Sequence, residues 1–133
     1  MIIRGTTPYH SFILPMSVAD IQEIYITYLQ NESVVLDKTG ADITLVDNND
    51  GLESASVESS DENEIEVSCT ATVHLSQEDT LAFHFYPAAE KNIAVVQIRI
   101  LDVNGEAYSS DPMRERIFGV IHDGVIGGNN ETV

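Results

Sequence analysis

Residues 92–110, NIAVVQIRILDVNGEAYSS, contain the alternation that decides the fold class. One face of this stretch carries four apolar side chains in an extended chain: Ala94, Val96, Ile98 and Ile100. Three of the four are β-branched, which is typical of a half-buried strand in the middle of a sheet. Asn104 and Gly105 then predict a type I′ hairpin turn, because both residues tolerate positive φ. A return strand is expected through Ala107 and Tyr108.

Shorter segments with strand character lie on both sides of this stretch. The predicted strands cover residues 9–14, 24–29, 34–36, 43–45, 65–73 and 114–121. Ser76 predicts the capped start of a short helical turn, and residues 81–85 are either another strand or a segment that docks on the core. About seven short strands with almost no helix predict an all-β fold, an immunoglobulin-like antiparallel β-sandwich. This prediction rests on strand number, since the chain has one cysteine and no tryptophan.

The chain length of 133 residues predicts one domain. We assign the sandwich to residues 1–126, with an extended N-terminal arm at 1–8. Residues 47–63 contain many acidic residues and no basic one, and they predict an acidic excursion outside the core. Residues 127–133 have the composition of a flexible C-terminal tail.

The formal net charge of −16 restricts the possible partners. Phosphate-backbone binding needs clustered Lys and Arg, whereas the six basic residues here are scattered, so we expect no nucleic-acid partner. The sequence has no apolar run long enough to span a bilayer, so we expect no membrane partner. The first ten residues lack the features of a secretory signal peptide, which predicts synthesis in a cytoplasm.

No reactive constellation is evident in the sequence, and we predict no catalytic residue, no cofactor and no metal site. Residues 47–51, DNNDG, resemble the start of a calcium loop, but with Gly51 in the sixth position Val46 and Val57 would occupy the first and twelfth. Cation binding by this acidic loop remains open. The four histidines show no ligand spacing, although His74 and His84 flank the Ser76 turn. The chain contains no nucleophile elbow, P-loop or dinucleotide fingerprint.

Several strings, taken in order and spacing, resemble those of a known family. They are RGTTP at 4–8, FILP at 12–15, VHLSQEDTLAF at 73–83, VQIRI at 96–100 and DGVI at 123–126. The chain resembles a family of small proteins encoded among the structural genes of phages and prophages of gut Firmicutes, over most of residues 4–126. That family is similar in strand pattern to the N-terminal β-sandwich domains of phage upper-baseplate and fibre-associated proteins. Residues 47–63 depart from the family, in which the corresponding turn is shorter.

The resemblance implies a non-enzymatic structural component of a phage virion, located in the tail, baseplate or fibre-attachment region. Its expected partners are other phage structural proteins and further copies of the chain in a homo-oligomer or symmetric assembly. The apolar arm supplies candidate contact residues: Ile2, Ile3, Arg4, Gly5, Thr6, Thr7 and Pro8. The arm could dock on a neighbouring subunit or pack on its own domain.

Two alternative functions remain open at this point. The high negative charge would suit a phage-encoded nucleic-acid mimic that inhibits a host nuclease. The five tyrosines would suit a glycan-binding module for host attachment, although Tyr25 and Tyr28 fall on opposite faces of their strand.

Overall fold

Two β-sheets packed face to face form the part of the chain that the computed structural model describes, which is residues 1–48, 67–87, 92–120 and 124–126. Within these ranges the chain forms nine strands and one short α-helix. The elements are β1 (Ile2–Ile3), β2 (Tyr9–Leu14), β3 (Ile21–Gln30), β4 (Ser33–Thr39), β5 (Ile43–Asp47), β6 (Cys69–His74), α1 (Gln77–Leu81), β7 (Ile93–Asp102), β8 (Ala107–Ser109) and β9 (Met113–Phe118). Short 3₁₀ turns at Val18–Asp20 and Gly40–Asp42 precede β3 and β5.

The larger sheet has the order β1-β9-β7-β3-β4, and β8 also pairs with β7. Strand β7 is therefore central, with β3 along one edge and β8 and β9 sharing the other. The smaller sheet has the order β2-β6-β5. All these pairs are antiparallel except β1–β9, which is parallel. The all-β sandwich that the sequence predicts is confirmed.

The inward faces of the two sheets follow from the alternation in the sequence. The larger sheet contributes the predicted face of β7 and the residues Ile24, Ile26 and Tyr28 of β3, all of them buried. The smaller sheet contributes Cys69, Ala71 and Val73 of β6. Burial of such apolar side chains stabilises the fold by roughly 1.5–3 kcal/mol for each large one, and it holds the two sheets together.

The turn after β7 differs from the predicted type I′ turn. Gly105 has a φ of +87°, but Asn104 does not adopt positive φ. The backbone N–H of Gly105 donates to the carbonyl of Asp102 at 3.0 Å, and the N–H of Asp102 donates to the carbonyl of Glu106 at 2.9 Å. The hairpin loop therefore has three residues, and it consists of a type I turn that ends in a glycine bulge. The Asp102 carboxylate accounts for the difference, because its Oδ1 accepts the N–H groups of Asn104 and Glu106, both at 2.9 Å.

A type I′ geometry is found instead between β3 and β4. Asn31 and Glu32 have φ values of 55° and 68°, and Gln30 pairs with Ser33 across the turn. The sequence predicts a turn at this position but not its type. The glutamate accepts a left-handed conformation because both strands, once paired, require it.

Three other predicted segments are refined by the structure. The strand expected at 65–73 is β6 (Cys69–His74), and the strand expected at 114–121 is β9 (Met113–Phe118). Of the two alternatives for residues 81–85, docking on the core is confirmed, because Phe83 is fully buried and lies outside any strand.

The predicted helical turn at Ser76 is confirmed as α1, which begins with a capping box. The N–H of Asp79 donates to Ser76 Oγ at 3.0 Å, and the N–H of Ser76 donates to Asp79 Oδ2 at 2.9 Å. No helix in the described ranges is long and apolar enough to cross a membrane. Most of the acidic excursion predicted at 47–63, and the whole tail predicted at 127–133, lie outside the described residues.

Candidate functional site

An apolar groove of about 800 Å³ opens at one side of the sandwich, between β2 of the smaller sheet and the β7–β8 hairpin of the larger one. We call it the β2–β8 groove. Its lining is Ser11, Phe12, Ile13, Leu14, Pro15, Met16, Asp20, Ile98, Ile100, Asp102, Asn104, Tyr108, Ser109, Ser110 and Met113. The volume falls within the range of about 300–1,000 Å³ that is common for ligand pockets. The groove is thus large enough to bind several apolar side chains.

Strand β2 forms one wall of the groove through its period-two alternation. Leu14 is buried and Phe12 packs against the core, whereas Ile13 on the opposite face is 74% exposed. Strand β2 ends at Leu14, and Pro15 follows directly. The wall therefore joins a buried apolar face to an exposed isoleucine.

The outer edge of β2 has no backbone partner among the described residues. The Leu75 N–H donates to the Pro8 carbonyl at 3.0 Å, which makes this pair a hydrogen-bonded one in the antiparallel ladder between β2 and β6. Alternate residues of β2 then point their backbone groups in opposite directions. The N–H and C=O groups of Ser11 and Ile13 point away from β6, to the open edge of the sheet.

Strand β8 forms the opposite border and is also an open edge. The bond from the Asp102 N–H to the Glu106 carbonyl and the bond from the Ser110 N–H to the Ile98 carbonyl fix the ladder between β7 and β8. By the same alternation, the backbone groups of Ala107 and Ser109 point away from β7. Within the described part of the chain, no strand pairs with β8 on that side.

Charge at the groove is negative. Its lining contains Asp20 and Asp102 and no basic residue. The Asp102 carboxylate is ionised, because hydrogen bonds from the backbone, first of all from the Glu106 N–H, hold its pKa below the ordinary value of 3.8. Tyr108 Oη also donates to Asp102 Oδ2 at 3.2 Å. The groove therefore combines an apolar lining with the exposed carboxylate of Asp20 at its rim, whereas the Asp102 carboxylate is buried and adds its charge from below the surface.

The predicted contact residues of the arm lie against their own domain. Ile2 is fully buried, and β1 pairs with β9 through Ile2–Ile117 and Ile3–Phe118. The N-terminal ammonium of Met1 forms an ion pair with Glu115. Of the two alternatives for the arm, the structure thus shows packing on its own domain.

The RGTTP string at residues 4–8 holds the arm to helix α1. Arg4 Nη1 donates to the carbonyls of Leu81 and Phe83 at 3.0 and 2.6 Å. The Gly5 N–H donates to Thr80 Oγ1 at 2.9 Å, and the Thr80 hydroxyl donates to the Thr6 carbonyl at 2.9 Å. The string therefore has a structural role, and a role of these residues in contacts with other proteins stays a prediction.

The carbonyls of Thr7 and Pro8 continue this attachment beside β6. The Thr7 carbonyl lies 3.2 Å from His74 Nε2, and the Pro8 carbonyl accepts the Leu75 N–H. Every backbone group named here is used within the chain, and the exposed residues of the string are Thr6 and Thr7.

The described histidines have separate partners. His10 Nδ1 lies 2.6 Å from Tyr28 Oη, His74 stacks on Tyr9, and the ring of His84 stacks on Tyr86. His122 lies outside the described residues. Among the residues that are described, no three His, Cys, Asp or Glu side chains converge on a point that would hold a metal ion.

Cys69 is buried in β6, in agreement with an inert thiol. Burial raises its pKa, and the neighbouring Asp47 raises it further. A thiol with a raised pKa forms little of the thiolate that reacts with electrophiles and metals.

The tyrosines do not form a single platform. Tyr28 is fully buried, and Tyr9 is covered on one face by the His74 ring, with 3.9 Å between the ring centroids. The guanidinium carbon of Arg99 lies over the Tyr25 ring, 5.6 Å from its centroid. As predicted, Tyr25 and Tyr28 lie on opposite faces of β3. Tyr108 is the tyrosine that lines the groove.

The β2–β8 groove was not predicted from the sequence. The only signal for it is the prediction of residues 9–14 as an edge strand that ends at Pro15. Long-range packing decides which strand of the larger sheet lies opposite that edge, and local alternation of side chains does not specify it. In comparisons with known proteins, no family model, no curated protein and no solved structure matches this chain.

Proposed function

We propose that this chain is a non-enzymatic structural protein that acts through protein–protein contacts, and that the β2–β8 groove is its principal contact surface. The observation that supports this proposal is an apolar groove of about 800 Å³ bordered by two strand edges whose outward N–H and C=O groups pair with no other strand in the described part of the chain. Open edges bind extended segments of other proteins by strand addition, and an adjoining apolar groove supplies specificity.

We further propose that this protein is a component of a phage virion and lies in the tail, baseplate or fibre-attachment region. The support for this part is the resemblance, over most of residues 4–126, to small proteins encoded among phage structural genes. Its partners are then other structural proteins of the particle, with copies of the chain arranged in a symmetric assembly. A small sandwich with open edges suits such a position, because it offers several contact surfaces on a rigid frame.

Mass spectrometry of purified particles tests the virion assignment. The chain is expected at a fixed copy number relative to the other particle proteins, and its absence from washed particles would exclude a virion role.

A photoreactive amino acid in place of Ile13 tests the contact surface in the same particles. Ile13 is 74% exposed and lines the groove, so it is expected to crosslink to a neighbouring protein. The matched site is Val34 on β4, which is 62% exposed on the far side of the larger sheet. Crosslinking at Val34 but not at Ile13 would assign the contact to another surface.

A further inference from the structure

We propose that the occupant of the β2–β8 groove is an extended, positively charged segment of a different protein, which pairs with the outer edge of β2. This inference rests on the proposed function, since it specifies the partner of the same surface. The backbone, the side chains and the charge of the groove each support one part of it.

The backbone of β2 supports an extended occupant. Ser11 and Ile13 present two outward N–H and two outward C=O groups in the spacing of an antiparallel or parallel ladder. A helix satisfies its own backbone groups and leaves those of β2 unpaired. An added strand pairs both sets, which is the interaction used in β-augmentation.

The apolar lining supports a partner with alternating apolar residues. Side chains of a strand project to one face at intervals of about 6.6 Å, which is twice the rise per residue. A strand beside β2 would place one set of side chains between Phe12 and Leu14 on one wall and Met113 on the other, above Ile98 and Ile100. The opposite set would remain in solvent beside the exposed Ile13.

The charge supports a basic partner. The lining carries Asp20 and Asp102 and no Lys or Arg, and the whole chain has a net charge of −16. Three arginines of the larger sheet, Arg99, Arg114 and Arg116, are exposed on the face opposite to the core. Their charge therefore does not offset that of the groove.

The same charges argue against a second copy as the occupant. A copy of this chain would bring 22 acidic residues and only six basic ones toward an acidic rim. Juxtaposed like charges oppose such association, whereas a lysine or arginine at the end of a partner strand would meet the exposed carboxylate of Asp20.

The test begins with selection from a displayed library of random twelve-residue peptides on the purified full-length protein. The expected peptides alternate apolar residues with polar ones and carry Lys or Arg at one or both ends. Synthetic copies of them are expected to bind more weakly as NaCl is raised, since their attraction includes exposed charges. Asp20→Asn is expected to weaken binding by severalfold.

Hydrogen exchange of the wild-type protein reports how the peptide binds. On binding, the amides of Ser11 and Ile13 should become protected, while those of Phe12 and Leu14, which already face β6, should change little. This measurement needs no variant and is unaffected by any folding defect.

The variant Ser11→Pro removes the outward N–H at a position where proline is tolerated, because an edge strand needs no donor there. It is expected to raise the dissociation constant by about tenfold or more. Ser11→Ala is the matched control, because it also removes the hydroxyl that lies 3.0 Å from Thr72 Oγ1 but keeps the N–H. Its dissociation constant should therefore stay much closer to that of the wild type.

Three outcomes would overturn the inference. They are enrichment of acidic or helix-patterned peptides, equal binding by Ser11→Pro and Ser11→Ala, and a dimer in sedimentation that Ser11→Pro dissociates. None of them bears on the presence of the chain in particles, so the proposed function stands or falls separately by mass spectrometry and crosslinking.

Discussion

One buried amide, Gln30, attaches the segment after helix α1 to the end of strand β3 in the larger sheet. Its Nε2 donates to the His84 carbonyl at 2.8 Å, and its Oε1 accepts the His84 N–H at 2.8 Å. The Gln30 amide thus makes the two hydrogen bonds with the His84 backbone that a residue of a neighbouring strand would otherwise make. Phe83, which comes immediately before, is held in the core by this contact and by its edge-on packing against Tyr28.

We predict that Gln30→Met lowers the free energy of unfolding by roughly 1–3 kcal/mol, because the part-buried N–H and C=O groups of His84 lose their partner. Urea denaturation would measure the change. The matched control is Gln22→Met on the same strand, where the side chain is exposed and the expected change is within about 0.5 kcal/mol. Equal effects of the two substitutions would contradict the role assigned to Gln30.

A second residue, His10, couples stability to pH. Burial lowers its pKa from 6.5 and outweighs the opposing attraction of Glu115. Burial also raises the pKa of Tyr28, so its phenol stays protonated, and its Oη lies 2.6 Å from His10 Nδ1. The folded state therefore favours the neutral imidazole.

The sign of the effect follows from linkage. The unfolded state binds a proton at His10 more readily than the folded state, so this contribution to stability is complete above about pH 6.5. It is lost as the pH falls through the lower pKa of the folded state. We predict that the urea midpoint of the wild type falls between pH 7.5 and pH 5.5, and that His10→Gln removes most of this dependence. If the urea midpoint of His10→Gln falls with pH as steeply as that of the wild type, the pH dependence of stability belongs to other titratable groups.

At the scale of elements, the arm that begins the chain is an integral strand of the larger sheet. Ile2 in β1 is fully buried against Ile117, its partner in β9. Gly5 follows with a φ of +84°, and a Cβ at this position would lie 3.1 Å from the Gly124 carbonyl oxygen. The sharp turn that brings RGTTP onto helix α1 therefore requires glycine.

We predict that Ile2→Ala lowers the free energy of unfolding by about 2–4 kcal/mol through loss of buried volume. Ile3→Ala is the control, since Ile3 is only half-buried and should cost clearly less. Denaturation in urea would report both values. A negligible effect of Ile2→Ala would mean that β1 is dispensable to its own domain and available to a neighbour.

The sequence predicts elements well where side-chain alternation alone specifies them. The buried face of β7 is of this kind, and the cap at Ser76 is specified just as locally, by a serine three residues before an aspartate. The turn after β7 was predicted wrongly because a nearby carboxylate, Asp102, competes for the backbone donors that would otherwise set the turn type. The β2–β8 groove was missed because it joins residues about ninety positions apart, and only the packing of the sheets brings them together.

At the scale of the whole molecule, the dominant feature is the imbalance of 22 acidic against six basic residues. Several of the described basic groups are already engaged, such as Lys38, whose Nζ lies 2.9 Å from Asp79 Oδ2. The carboxylates therefore repel one another over the surface of a small folded protein. This repulsion is greater in the folded state than in the expanded, unfolded chain.

We predict that the folded state becomes more stable as NaCl rises from 10 to 150 mM, because the screening length falls from about 30 to about 8 Å. The urea midpoint at pH 7.5 should increase accordingly. A triple variant, Glu32→Gln, Glu106→Gln and Asp111→Asn, removes three exposed negative charges, so its midpoint should start higher at 10 mM and rise less. If salt instead lowers the midpoint of the wild type, local ion pairs such as Lys38–Asp79 outweigh the overall repulsion, and the charge argument for a basic partner loses its basis in the molecule as a whole.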